Sequence, residues 1–154
     1  MPSEPWTAKR VEEIAAAHAH LEGPLLPILH ALQAEYGFIP RDAIPVVAHA
    51  LNLTRAEVYG VVSFYHDFRD KPAGRHVVKL CRAEACQSMG ANQLAEAVLK
   101  HFRIVWGETS TGGVTIDAVY CLGFCSVAPA ALVDGEPLGK LDAKRLIAAV
   151  GKGT

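Results

Sequence analysis

The stretch Val77-Val78-Lys79-Leu80-Cys81-Arg82-Ala83-Glu84-Ala85-Cys86 decides how the chain is read. Val77, Val78 and Leu80 form a β-prone run that ends on a cysteine. Downstream, Val114, Ile116, Ala118 and Tyr120 alternate as a second strand, which ends on Cys121, and Cys125 follows it. The chain has 4 cysteines, and the pattern C-x4-C, 34 intervening residues, C-x3-C uses all of them. Both pairs begin where a strand is expected to give way to a loop. Loops held on a rigid scaffold are where the ligands of a bound group usually sit.

The elements around these two strands set the fold class. Between them a helix is expected from about Gly90 to Phe102, with Leu94, Val98 and Leu99 on its buried side. Ala131-Leu132-Val133 reads as a short strand, Asp134-Gly135 as a hairpin turn, and Asp142 as the cap of a last helix through Val150. The order β, α, β, β, α makes this part an α/β domain.

Upstream the pattern is helical. Thr7 caps a helix to about His20, with Val11, Ile14 and Ala15 on one face. Pro24 opens a second, carrying Leu25, Leu29 and Leu32 and stopping at Gly37. Asp42 is read as the cap of a third, with Pro45 in its first turn. Thr54 and Glu57 form a capping box for a fourth, expected to end near Gly60. Lys71-Pro72-Ala73-Gly74 reads as the linker. The expected organisation is a small helical bundle over residues 1–72 followed by the α/β domain over 73–154.

Composition narrows the function classes. Of 154 residues 51% are apolar, enough for a core without disulfide staples. Lys plus Arg is 15 against 16 Asp plus Glu, so there is no electrostatic footprint for nucleic acid. The N-terminal stretch lacks the basic start and apolar run of a signal peptide, and no segment approaches the length of a membrane span. A cytoplasmic protein with no direct membrane insertion is expected. In that compartment four cysteines favour a metal or redox role over structural disulfides.

Several chemistries could use four thiols. Structural zinc usually takes tighter C-x2-C knuckles, a thioredoxin-type dithiol needs C-x-x-C, and Rieske ligation needs histidines beside the cysteines. None of these is present. A [2Fe–2S] cluster takes four thiolates and tolerates loops of irregular length. On the residues alone it leads, with zinc and with disulfides or free thiols as alternatives.

Other motifs carry less. There is no G-x-G-x-x-G for a dinucleotide, and Gly135-Glu136-Pro137-Leu138-Gly139-Lys140 falls short of a phosphate loop and reads as a turn. His18, His20 and His66 read as surface or packing residues, and Phe64, Tyr65 and Phe68 as core or interdomain packing. Lys79 and Arg82 flank the first pair and could raise a reduction potential there, although facing solvent is the simpler reading.

Cys81-Arg82-Ala83-Glu84-Ala85-Cys86, with Cys121-Leu122-Gly123-Phe124-Cys125-Ser126-Val127-Ala128-Pro129, resembles the thioredoxin-like [2Fe–2S] ferredoxin family. That family includes the 24 kDa-type subunit of NADH:quinone oxidoreductase and matching subunits of NAD-linked hydrogenases and formate dehydrogenases. Leu32-Gln33-Ala34-Glu35-Tyr36-Gly37-Phe38-Ile39-Pro40 and Gly60-Val61-Val62-Ser63-Phe64-Tyr65-His66-Asp67-Phe68 look like its N-terminal signatures, so the resemblance runs over about residues 10 to 150.

The resemblance implies a thioredoxin-like α/β domain holding one [2Fe–2S] cluster, with Cys81 and Cys86 on one iron and Cys121 and Cys125 on the other. It implies one-electron transfer with no catalytic site in this chain. Gly123 would let the second loop turn tightly, and Pro129 would stiffen its exit. The wording around the first pair is most similar to the gamma subunit of soluble NAD-dependent formate dehydrogenases. That implies as partners a flavoprotein subunit carrying FMN and the NAD site, and a larger iron–sulfur catalytic subunit with molybdenum or tungsten. The equivalent subunit of NADH:quinone oxidoreductase or of an NAD-linked hydrogenase is the alternative host. A zinc-stabilised interaction module and a free-standing disulfide redox protein are the readings from other classes.

Overall fold

Capping chemistry sets the helices of the first part of the chain. In the computed structural model, which describes residues 6–151, helix α1 runs Ala8–His18 and Thr7 Oγ1 accepts the Arg10 N–H at 3.3 Å. The N-terminal residues 1–5, read above for targeting, and residues 152–154 lie outside the described part. Helix α2 (Leu25–Tyr36) ends at Gly37, whose left-handed φ of 80° closes it.

Two expectations here need correcting. Asp42 does not cap the third helix: it lies inside a 3-10 turn, Arg41–Ala43, and α3 (Ile44–Ala50) starts from Ala43 with no side-chain cap. Helix α4 (Arg55–Phe64) opens on the expected Thr54/Glu57 capping box but continues through Gly60. A single glycine costs an exposed helix only about 1 kcal/mol against alanine, and the turn beyond it recovers the backbone bonds.

Val11, Ile14, Ile28, Leu29, Leu32, Val47 and Val58 fill the core of this unit. The Gln33 amide pins the segment after α4, donating to Asp67 O and accepting from Arg69 N, both at 2.7 Å. Phe68 joins the core as expected, whereas Phe64 is 73% and Tyr65 44% exposed; Tyr65 meets both Phe64 and Phe68 edge to face.

By its internal contacts the chain divides into residues 1–72 and 73–154. The second unit is a four-stranded sheet in the order β2-β1-β3-β4. Strand β1 (His76–Cys81) lies between β2 (Val114–Val119), parallel to it, and β3 (Ala131–Val133), antiparallel. Parallel neighbours need a long crossover. Here it contains α5 (Glu84–Ser88) and α6 (Ala91–Phe102). The turn Asp134-Gly135, both residues at positive φ, leads into β4 (Glu136–Leu138), which the sequence reading did not assign. Pro137 is tolerated there because β4 is an edge strand. Helix α7 (Ala143–Gly151) begins as expected, with Asp142 Oδ1 accepting the Arg145 N–H at 2.7 Å.

One core joins sheet and helices: Val78, Leu80, Ile116 and Val133 meet Leu94 and Val98 of α6 and Leu146 and Val150 of α7. A fully buried leucine such as Leu80 contributes about 1.5–3 kcal/mol. This core fixes the ends of β1 and β2, where the cysteines begin. Among the described residues no helix is long and apolar enough to cross a membrane.

Candidate metal centre

Cys81 is the last residue of β1, so the ladder itself holds its backbone: it is paired with Val119 across β1–β2, and its N–H donates to Ala130 O at 3.1 Å. The next N–H, of Arg82, donates to Val119 O at 2.8 Å. Cys86 sits on α5, a five-residue helix too short to show an apolar period. The Gln87 side chain ties that helix back to the strand end, donating to Arg82 O at 2.7 Å.

The second pair departs from expectation in one respect. β2 stops at Val119, not at the cysteine, and Tyr120 points outward at 74% exposure. The alternation is broken because Cys121 takes a left-handed φ of 77°, which no strand accommodates. Gly123, at φ 81°, completes the turn and its N–H donates to Cys121 Sγ at 3.4 Å. Cys125 opens a 3-10 turn, Cys125–Val127, which leads to the cis Ala128–Pro129 bond.

The four thiols fall into two pairs with different surroundings. Cys121 and Cys125 are exposed, with sulfurs 3.7 Å apart. Cys81 and Cys86 are 2% and 3% exposed and share a small cluster with Ala91, Ala128 and Ala130.

Burial would push the Cys81 thiol up. Backbone N–H groups of Ala83, Cys121 and Leu122, with the Cys86 thiol, outweigh it and hold Cys81 below the usual thiol range. For Cys86 burial prevails: its thiol is pushed up, with the Cys81 and Cys125 charges adding to the rise and the Ala130 N–H opposing it. Cys125 is raised by its hydrogen bond to Cys121 and the charge there, then by partial burial and by Cys81.

Electrostatics link the pairs: the backbone N–H groups of Cys121 and Leu122 favour the ionised Cys81 sulfur, and a charge at Cys125 disfavours ionisation of Cys86. Among the described residues no three His, Cys, Asp or Glu side chains converge on one point as a single metal ion would need. A two-iron cluster asks for two thiolates at each iron and for donors to its sulfurs. Two thiol pairs, one of them buried among alanines, and backbone N–H groups that favour the Cys81 thiolate fit that group.

Backbone N–H groups of the two cysteine loops are the donors to sulfur that the sequence leads one to expect, but a backbone N–H has no letter, so which of them serves which cysteine is set only by the fold. Arg82 also departs from the solvent-facing reading. Its guanidinium carbon lies 5.1 Å from the centre of the Trp106 ring, Nη2 donates to Asn92 Oδ1 at 3.4 Å, and Nε is buried with no hydrogen-bond partner among the described residues. Lys79 is half-buried in β1. His18 bonds its own helix, with Nδ1 2.8 Å from Ile14 O.

Known proteins resemble this chain in sequence and fold. The chain is 34% identical over 121 residues to NADP-reducing hydrogenase subunit HndA of Solidesulfovibrio fructosivorans, covering 78% of this chain and 71% of that one. It is 33% identical over 143 residues to an NADH-quinone oxidoreductase subunit of Rhizobium meliloti (strain 1021), covering 90% of this chain and 83% of the relative. Among solved structures, an NAD+-reducing [NiFe]-hydrogenase in the air-oxidised state superposes with a TM-score of 0.69 at 27% identity; 83% of this chain is covered, but it spans only 22% of the hydrogenase chain. The family model described as thioredoxin-like [2Fe–2S] ferredoxin matches residues 11–153. The chain thus belongs to the thioredoxin-like [2Fe–2S] ferredoxin family, whose members bind one [2Fe–2S] cluster.

Proposed function

We propose that the chain is the one-electron-transfer subunit of a multi-subunit, nicotinamide-linked oxidoreductase, and that Cys81 and Cys86 hold one iron and Cys121 and Cys125 the other. What supports this is the placing of the two thiol pairs just beyond the ends of two neighbouring parallel strands, Cys81 opposite Val119, with the N–H groups of Cys121 and Leu122 favouring the ionised Cys81 sulfur. When bound, the cluster supplies a site that gains and loses single electrons. The chain's own part is to hold the thiolates, to offset their negative charge with the N–H groups of Ala83, Cys121, Leu122, Gly123 and Ala130, and to keep one side dry through the buried alanines. The exposed Cys121–Cys125 side is where an electron enters or leaves.

The partner in this reading is a flavoprotein subunit that binds FMN and NAD. Residues 73–154 form the cluster domain and residues 1–72 supply docking surface, with the exposed Tyr59, Phe64 and Tyr65 as its apolar part. The working place is the cytoplasm. The relatives named above are hydrogenase and quinone oxidoreductase subunits, which favours a host of those kinds. The finer reading, a formate dehydrogenase with molybdenum or tungsten in a further subunit, is supported by the wording around the first cysteine pair alone.

Anaerobic purification with iron and acid-labile sulfide assays, absorption and EPR spectra tests the cluster assignment. Two irons and two sulfides per chain and a reducible EPR signal are expected. A colourless protein with one zinc per chain would instead support a structural interaction module. Cys125→Ser is expected to lose the cluster or convert it to a weaker mixed-ligand form with a shifted signal; an unchanged spectrum and potential would remove Cys125 from the ligand set. Co-purification identifies the host: a nickel hydrogenase, a quinone reductase or a formate dehydrogenase.

A further inference from the structure

The two cysteine pairs differ in what can reach them. Cys81 and Cys86 are 2% and 3% exposed, enclosed by alanines, whereas Cys121 and Cys125 are both exposed and their sulfurs are 3.7 Å apart. A Cβ placed on Gly123, between them, would meet nothing within 4 Å, so no neighbouring group is packed against that point of the loop. Closing 3.7 Å to an S–S bond of about 2.05 Å takes a small shift of two side chains on a three-residue loop. The inner pair is enclosed, held by the end of β1 and by α5 in the buried cluster.

We propose that, in the chain before it acquires its cluster, Cys121 and Cys125 are a peroxide-sensitive dithiol whose oxidation to a disulfide blocks iron loading, while Cys81 and Cys86 stay reduced. One thiol of the outer pair reduces hydrogen peroxide, becoming a sulfenic acid and releasing water. The second sulfur then forms the S–S bond, and the sulfenic oxygen leaves as a second water. Two thiols and one peroxide thus give one disulfide and two waters, and a dithiol reductant reverses the step. Stopping at the disulfide protects the outer cysteines from irreversible oxidation. The iron-loading half of the proposal rests on the ligand assignment made above; the disulfide half does not.

The test uses the full cluster-free chain, prepared anaerobically and treated with one equivalent of hydrogen peroxide. Remaining thiols are alkylated, and non-reduced peptides are mapped by mass. Expected are a Cys121–Cys125 link, alkylated Cys81 and Cys86, loss of iron and sulfide uptake, and recovery of uptake after dithiol treatment. A link between Cys81 and Cys86, links crossing the pairs, intermolecular links, or oxidised single cysteines would each overturn the proposal and leave the ligand assignment standing. A Cys121–Cys125 link with undiminished uptake would overturn the blocking role together with the ligand assignment. Cys81→Ser/Cys86→Ser protein is expected to form the same outer link, which shows that the inner thiols take no part in it.

Discussion

Asp134 takes the first place of the β3–β4 turn at φ 51° and uses both carboxylate oxygens at once. Oδ2 lies 2.8 Å from His76 Nδ1, and Oδ1 accepts the Val77 N–H at 2.7 Å. Partial burial works against the ionised form, but the His76 ring and the Val77 N–H outweigh it, and the carboxyl is held below its ordinary range. A carboxylate depressed in the folded state contributes stability above its unfolded value of about 3.9, and loses it as pH falls through the lower folded value. Asp134→Asn keeps a residue that tolerates the left-handed turn and removes the charge. Urea midpoints measured from neutral to acid pH, both proteins in the same cluster state, are therefore expected to fall more steeply below about pH 4 for the native chain than for the variant. Parallel curves would show that this carboxylate adds nothing. The turn could be read from Asp134-Gly135, but its tie to a histidine 58 residues away could not, because nothing local in the sequence joins β1 to that corner.

At the scale of elements, the second cysteine loop leans on a segment outside it. Lys140 N–H donates to Val127 O at 2.6 Å, Leu141 N–H to Pro129 O at 3.1 Å, and the Arg145 side chain caps Gly139 O at 2.9 Å. A methyl on Gly139 would come within 2.6 Å of Val127 Cγ2 and 2.8 Å of Val127 O. The contact with the backbone oxygen cannot be relieved by a side-chain rotation, so Gly139→Ala must displace the 3-10 turn that carries Cys125. The expected result is a lower iron content and a shifted EPR signal despite four intact cysteines; native iron content and spectrum would show that the loop is held by other contacts. Helix caps at Thr7, Thr54 and Asp142 were legible because each is a local side-chain bond to the backbone. Helix α5 was not, since five residues in a cysteine loop carry no periodicity, nor was β4, whose Pro137 argues against a strand until an edge position is known. The site followed the same rule: the cysteines are letters and could be located, and donors from their two loops could be expected, but which N–H serves which sulfur is set only once the loops are folded.

For the whole molecule, the decisive feature is the parallel register that sets Cys81 opposite Val119. Of the 34 residues between the cysteine pairs, α6 and β2 are core elements, whereas the turn around Thr111 and Gly112 only has to return the chain to β2. Two glycines inserted between the exposed Thr111 and Gly112 lengthen the connection before β2 and are expected to leave iron content unchanged. Deleting Ala118 shortens the strand by about 3.3 Å and reverses which face its remaining residues present. Iron content per chain is expected to fall to background in that deletion; equal loss in both variants would mean that the length of the turn before β2 matters as much as the strand register. The chain thus measures the gap between its sulfur pairs with a ladder of backbone bonds rather than with sequence distance. Related chains are free to insert or lose whole turns between the pairs, so a fixed count of residues is a poor way to recognise them, and the strand that ends on the first cysteine is a better one.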